Sequence, residues 1–288
     1  MMYLLHYVIA DQSASTSLPA FPAHLGNPPR IPPGFRNGLC SVLYSDVGTF
    51  YEACDPGTVD SLKAGWRRKS AAVTIWALAN LPNIVSPRHA TGLQLVLLTG
   101  TQLGKVWDRD AELMAGEFAS RSVAAKPNTA ASFTFLPTAG VAAIQYQRWK
   151  AYIPTVLPQL SNKYDDLPWG AVLQPSPVLS STNPPLNYIS WTLDAERTGP
   201  KTLMITRFRF DSVGSFMELL DSARRIALEW GLEQIEAWNF TGVPNQGTSV
   251  DIDSKWNGVD GTREDHLPYV AWYGQDDSSD VRFEWNEK

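Results

Sequence analysis

The sequence predicts an α+β fold, a mixed sheet with flanking helices, on three observations. Three strand-like runs, centred on Ala171–Leu173, Tyr188–Leu193 and Leu203–Phe210, follow one another across short turn-rich gaps, which favours an antiparallel meander. The last run leads into an amphipathic helical stretch and then a further apolar run, Gln234 to Phe240. Leu203 to Phe240 therefore reads as a β-α-β unit with parallel strands and a right-handed crossover. The chain has 288 residues, 44% of them hydrophobic, which supplies a sizeable core and suits two domains of ordinary size.

Taken in order, residues 11–38 are dense in Ser, Pro and Gly, with Pro28-Pro29 and Pro32-Pro33. Proline removes backbone donors and fixes φ, so 1–38 reads as a disordered proline-rich leader. Apolar character begins at Leu39: Val42, Leu43 and Tyr44 read as a strand, Gly48 as a turn and Phe50-Tyr51 as the start of a short helix broken by Pro56-Gly57. Helical spacing returns from Leu103 to Phe118, with Val106, Leu113, Met114 and Phe118 on one side. Ser132 to Leu136 reads as a strand and Val141 to Tyr152 as a helix. After the meander, Ser215-Phe216-Met217-Glu218 has the form of a capping box. Phe216, Leu219, Leu220, Ala223, Ala227 and Trp230 then form one apolar stripe, and Gly231 supplies the left-handed C′ residue. Leu267–Tyr273 reads as a strand.

Composition excludes several function classes. A net charge of −5, with 24 basic against 29 acidic residues and no basic run longer than Arg67-Arg68-Lys69, argues against nucleic acid as a partner. Cys40 and Cys54 form neither a CxxC pair nor a disulfide framework, which suits the cytoplasm. No run approaches the roughly 18–20 apolar residues of a membrane span, and the opening MMYLLHYVIA has no basic n-region before it. Gly100-Thr101-Gln102-Leu103-Gly104-Lys105 imitates a P-loop, but its glycine spacing is one residue short and Val106 stands where a hydroxyl must hold the metal. Asp253 to Glu264 imitates an EF-hand, but Lys255 would set an ammonium against calcium, so a solvated polar loop is expected. His6, His24, His89 and His266 lack metal-ligand spacing, so no metal is expected; His266, beside Glu264 and Asp265, reads as part of a surface charge cluster. The eleven tryptophans read as core.

Two sets of residues carry a resemblance. The segment Leu39-to-Cys54, LCSVLYSDVGTFYEAC, has the strand, turn and Phe-Tyr pair that follow the fifth strand in the GNAT superfamily. It is most similar to the LYSDIG-FY segment of fungal lysine N6-acetyltransferases. The second set runs in order through Tyr146-Gln147-Arg148-Trp149, Pro168-Trp169-Gly170-Ala171, Ile189-Ser190-Trp191, Glu236-Ala237-Trp238-Asn239, Leu267-Pro268-Tyr269-Val270-Ala271-Trp272-Tyr273 and Trp285-Asn286-Glu287. It resembles the GNAT-like C-terminal domain of the same family. The implied division is a leader, 1–38; a partial first GNAT domain, 39–85; and a GNAT-like C-terminal domain, 86–288.

The resemblance implies acetyl transfer from acetyl-CoA to the ε-amine of lysine or a similar small amine. It places the general acid on Tyr51, whose phenol, with an ordinary pKa of about 10, is protonated at neutral pH. Asp46 is near enough in sequence to be a candidate base, with turn capping as its favoured role. The family's Q/RxxGxG/A loop, whose backbone N–H groups hold the cofactor's pyrophosphate, has no counterpart before Leu39, so cofactor binding is expected to be impaired. Asp55 to Ala64 also intervene where the family runs almost directly into a Gly-Trp pair, here Gly65-Trp66. In the C-terminal β-α-β unit the corresponding turn, Phe210-Asp211-Ser212-Val213-Gly214-Ser215, has one glycine and an aspartate, both adverse to pyrophosphate. The competing expectation is a non-catalytic fragment whose C-terminal domain is a binding or assembly module. The edge of the Leu39–Tyr44 strand is expected to be covered or to recruit another chain, which predicts homo-oligomerisation or poor solubility.

Overall fold

The computed structural model describes residues 23–28, 30–31, 33, 38–53, 66–81, 93–124, 131–138, 153, 157–160, 166–175, 185–194, 199–240, 256, 258–273 and 280–283. In chain order the strands are β1 (Cys40–Ser45), β2 (Arg67–Arg68), β3 (Ala72–Ala77), β4 (Leu93–Thr99), β5 (Ser132–Phe133), β6 (Pro168–Pro175), β7 (Asn187–Asp194), β8 (Thr202–Arg209), β9 (Gln234–Trp238), β10 (Val259–Thr262), β11 (Leu267–Trp272) and β12 (Arg282–Phe283). Among the described residues two long helices accompany them, α1 (Gly100–Ala124) and α2 (Val213–Glu229). The expected helix at 141–152, the insertion at 55–64, Cys54, Asp253 and the Trp285-Asn286-Glu287 motif lie outside the described residues, as does the expected boundary between 85 and 86.

The chain forms two compact units. One lies within 1–71, 125–134 and 262–286; the other lies mainly within 72–124 and 135–261. In the second, a seven-stranded sheet runs β10-β3-β9-β8-β7-β6-β4. Strands β6, β7 and β8 pair antiparallel as the meander predicts. Strands β8 and β9 pair parallel, Leu203 opposite Ile235, with α2 between them in sequence. This is the α+β mixed sheet with helices that the sequence predicts.

Its core follows from the patterning. β7 is buried at every position, as a central strand must be, and Phe216, Leu219, Leu220, Ala223 and Ala227 of α2 are fully buried in the same cluster. Gly231 takes φ +70 after the Trp230 cap, as expected. The N-terminus differs from expectation: the cap is Ser212, extended at φ −146, and its Oγ accepts from Ser215 N at 3.1 Å. Ser215 is already helical, and its hydroxyl donates to Asp211.

Three further differences concern strands. β3 and β4 lie where no element is expected: β3 pairs antiparallel with β9, and β4 with β6. The strand expected over Ser132–Leu136 covers only two residues, β5, paired parallel with β12. The expected polar loop at the C-terminal side contains β10, an exposed strand beside β3. The chain just before it is anchored, because buried Trp256 offers its carbonyl to Trp76 Nε1 at 2.8 Å. Gly258, at φ +69, passes so close to Thr74 and Trp76 that a Cβ would lie 2.6 Å from Thr74 Cγ2.

Helix α1 begins at Gly100, three residues before the expected start. Thr99 N donates to Gln102 Oε1 at 2.9 Å, the return half of a Thr-x-x-Gln capping box. The P-loop imitation is thus an ordinary first helical turn.

The other unit is built on a three-stranded antiparallel sheet, β1-β11-β2, with Ser45 opposite Leu267 and Cys40 opposite Trp272. Trp66, Ala71, Leu267, Tyr269, Ala271 and Tyr273 form its small core. β1 is an outer strand of that sheet. Among the described residues no helix is long and apolar enough to cross a membrane.

Candidate functional site

Tyr51 stands on a single 3-10 turn, Gly48–Ala53, directly after β1. Local chemistry sets the entry to the turn. Gly48 adopts φ +58, Val47 N donates to Ser45 Oγ at 3.2 Å, and the same hydroxyl donates to the Gly48 carbonyl at 3.2 Å. The half-buried Tyr51 ring packs against Trp66 (centroids 6.2 Å) and Tyr269 (6.1 Å), with Phe50 edge-on at 5.3 Å. Among the described residues the Tyr51 hydroxyl makes no hydrogen bond.

Asp46 behaves as a structural tie. Its Oδ1 accepts from the His266 backbone N–H at 2.9 Å and lies 2.7 Å from His266 Nδ1. His266 sits at φ +45, where a non-glycine residue needs support, and Arg263 Nη1 also holds its carbonyl at 2.9 Å. Asp46, a candidate base with turn capping as its favoured role, thus joins the end of β1 to the start of β11, and His266, expected in a surface charge cluster, is its partner.

Sequence reasoning gave no role to Glu52 or to Tyr269 individually. Buried Tyr269 donates from its hydroxyl to Glu52 Oε1 at 3.0 Å and to the Gly48 carbonyl at 3.2 Å. Burial first, then the hydrogen bond and charge of Glu52, hold the Tyr269 phenol above its ordinary pKa of 10.0. Residues 217 positions apart carry no local signal of such a bond.

In the other unit, the β8–α2 turn is the anion site that a GNAT-like β-α-β unit would offer. Its residues do not fit a pyrophosphate. The Ser215 N–H is taken by Ser212 Oγ and the Phe216 N–H by the Ser212 carbonyl. The Asp211 carboxylate accepts from Ser215 Oγ at 2.9 Å, placing negative charge where an incoming anion would sit. Beside the turn, Phe208, Phe210, Phe216 and Phe240 pack against one another with centroids 4.9–6.2 Å apart, and Trp76 meets Phe240 at 5.5 Å. No group of His, Cys, Asp and Glu that could hold a metal occurs among the described residues.

The same unit carries a buried charge network. Asp110 of α1, fully buried, accepts from Tyr188 Oη at 2.8 Å, Arg207 Nε at 2.6 Å and Arg209 Nε at 2.5 Å. Arg209 in turn grips both oxygens of Glu117. Burial alone would raise the Asp110 pKa, but Arg207, Arg209 and the Tyr188 hydrogen bond together hold it below 3.8. These bonds join Asp110 and Glu117 of α1 to Arg207 and Arg209 of β8, so the network fastens α1 to the sheet.

No curated protein matches the chain. Among solved structures, a GCN5-related N-acetyltransferase from Anabaena variabilis ATCC 29413 is 13% identical with a TM-score of 0.33, over 80% of this chain and 45% of that one. The chain spans less than half the length of that protein. A family model described as the LYC1 GNAT-like C-terminal domain matches residues 80–288, more than two thirds of the sequence, and the chain belongs to that GNAT-like family.

Proposed function

We propose that the protein is an acetyl-CoA-dependent N-acetyltransferase acting on the ε-amine of lysine or a similar small amine, with Tyr51 as its general acid. In that reaction the amine lone pair attacks the thioester carbonyl carbon and the carbon–sulfur bond breaks. The departing thiolate takes the Tyr51 hydroxyl proton. The observation that carries the reading is the placement of Tyr51: a phenol on a short turn at a strand end, its hydroxyl not engaged by any described residue. Family membership supports the reaction class. The base is left to water, since Asp46 already serves His266.

The test is thiol release from acetyl-CoA with free lysine as acceptor. Tyr51→Phe should lower kcat by about 10²-fold or more at unchanged KM for acetyl-CoA, as expected for loss of a proton donor used only in the transition state. Unchanged kcat in Tyr51→Phe would remove the residue from the mechanism.

A second reading, a non-catalytic binding or assembly module, is favoured by the self-capped β8–α2 turn, which also carries the Asp211 carboxylate. Calorimetric titration separates the two. The enzyme reading expects saturable acetyl-CoA binding, and no heat or thermal shift at millimolar acetyl-CoA leaves the module reading standing.

A further inference from the structure

We propose that Tyr269 is a positioning residue for Tyr51, holding the 3-10 turn that presents its hydroxyl. This rests on the reading of Tyr51 given above. A lone 3-10 turn has poor hydrogen-bond geometry and little stability of its own, so its shape must be imposed from outside. Tyr269 imposes it at both ends. Its hydroxyl proton is shared between the carbonyl of Gly48, the first residue of the turn, and the carboxylate of Glu52, the fifth. Its ring lies 6.1 Å from that of Tyr51 at 51°, while Trp66 meets the same ring at 6.2 Å and 58°. Tyr269 and Trp66 are buried in the core of this unit, so these walls cannot yield without unpacking it. Tyr269 itself pairs with Leu43 of β1, the strand that leads into the turn. One buried phenol thus fixes the strand before Tyr51, both ends of its turn and one face of its ring. A phenol aimed at a reacting sulfur gains from such fixing, because a misplacement of about 1 Å costs on the order of 10²-fold in rate.

A buried tyrosine that merely satisfies its own hydroxyl would destabilise the fold when altered but would not couple to Tyr51. The test compares wild type, Tyr51→Phe, Tyr269→Phe and the double variant, reading kcat and KM for acetyl-CoA. Tyr269→Phe keeps the ring and should lower kcat roughly tenfold with KM little changed. In the Tyr51→Phe background the same change should have no further effect. Glu52→Gln, which keeps an acceptor, should retain activity, and Glu52→Ala should behave as Tyr269→Phe. Equal losses in both backgrounds overturn the proposal. A second measurement does not depend on turnover: with ring-¹³C-labelled tyrosine, the Tyr51 signal, assigned through Tyr51→Phe, should shift and broaden in Tyr269→Phe. An unchanged Tyr51 signal overturns the positioning role even if the enzyme is active. If Tyr51→Phe keeps its kcat but the signal moves, the catalytic reading has failed while Tyr269 still holds the turn.

Discussion

Asp110 shows how much one residue can carry in this protein. Two arginines and a tyrosine converge on a carboxylate with no exposure to water. Removing the carboxylate leaves two guanidinium groups against each other in a poorly hydrated site, so Asp110→Ala should cost about 3–5 kcal/mol in denaturant unfolding. The pH dependence follows from its depressed folded-state pKa. The contribution is fully present above the unfolded value of 3.8 and is lost as pH falls through the lower folded value. Acid unfolding of wild type should therefore steepen below pH about 4, and Asp110→Asn should flatten that limb. The network was not legible in the sequence, because Asp110 and Arg207 are 97 positions apart and each reads as an ordinary surface charge. The position of Tyr51 just after a strand and turn, by contrast, was legible in the sequence.

At the scale of elements, α2 is the part most fully readable from sequence. Its apolar stripe, its C′ glycine and the parallel strand that follows are all as predicted. The cap was misplaced by three residues because Ser212 and Ser215 have the same chemistry, and only backbone geometry tells them apart. Ser212→Ala should cost about 1 kcal/mol of stability by thermal or denaturant melting. β3 and β4 escaped notice for different reasons. β4, at the sheet edge, is only partly buried along a near-continuous apolar run, so it shows no clean alternation. In β3 consecutive residues Val73 and Thr74 are both buried, with Thr74 Oγ1 bonded to Asp260 at 2.7 Å on the neighbouring strand. That partner strand is itself placed by Gly258. A Cβ at 258 would meet Thr74 and Trp76 and would be held at positive φ, so Gly258→Ala should destabilise by roughly 1–3 kcal/mol, read as a lowered Tm.

At the scale of the whole molecule, each unit gathers segments distant in sequence. The three-stranded sheet joins residues near 40 and 67 to residues near 270, and the larger sheet places β3 beside β9. Acetyl-CoA binding is the measurement that belongs to this scale. If the cofactor were held at the β8–α2 turn, Asp211→Asn would strengthen binding by removing a like charge. We expect no change in calorimetric affinity, because the Ser215 and Phe216 N–H groups of that turn are already taken by Ser212. A tightening would show that the turn is the anion site after all.

The sequence by itself determined the α+β class, the meander, the β-α-β unit and the turn that bears Tyr51. All of these rest on periodicity and turn chemistry within about twenty residues, where local preference and the final fold agree. Tertiary structure alone decided the surroundings of these residues: Tyr269 and Glu52 at the Tyr51 turn, His266 on Asp46, the arginines on Asp110, and the phenylalanine cluster beside the self-capped β8–α2 turn. Those contacts depend on strand pairing and on burial, which assigns a charged or aromatic side chain its partners only once distant segments have been brought together.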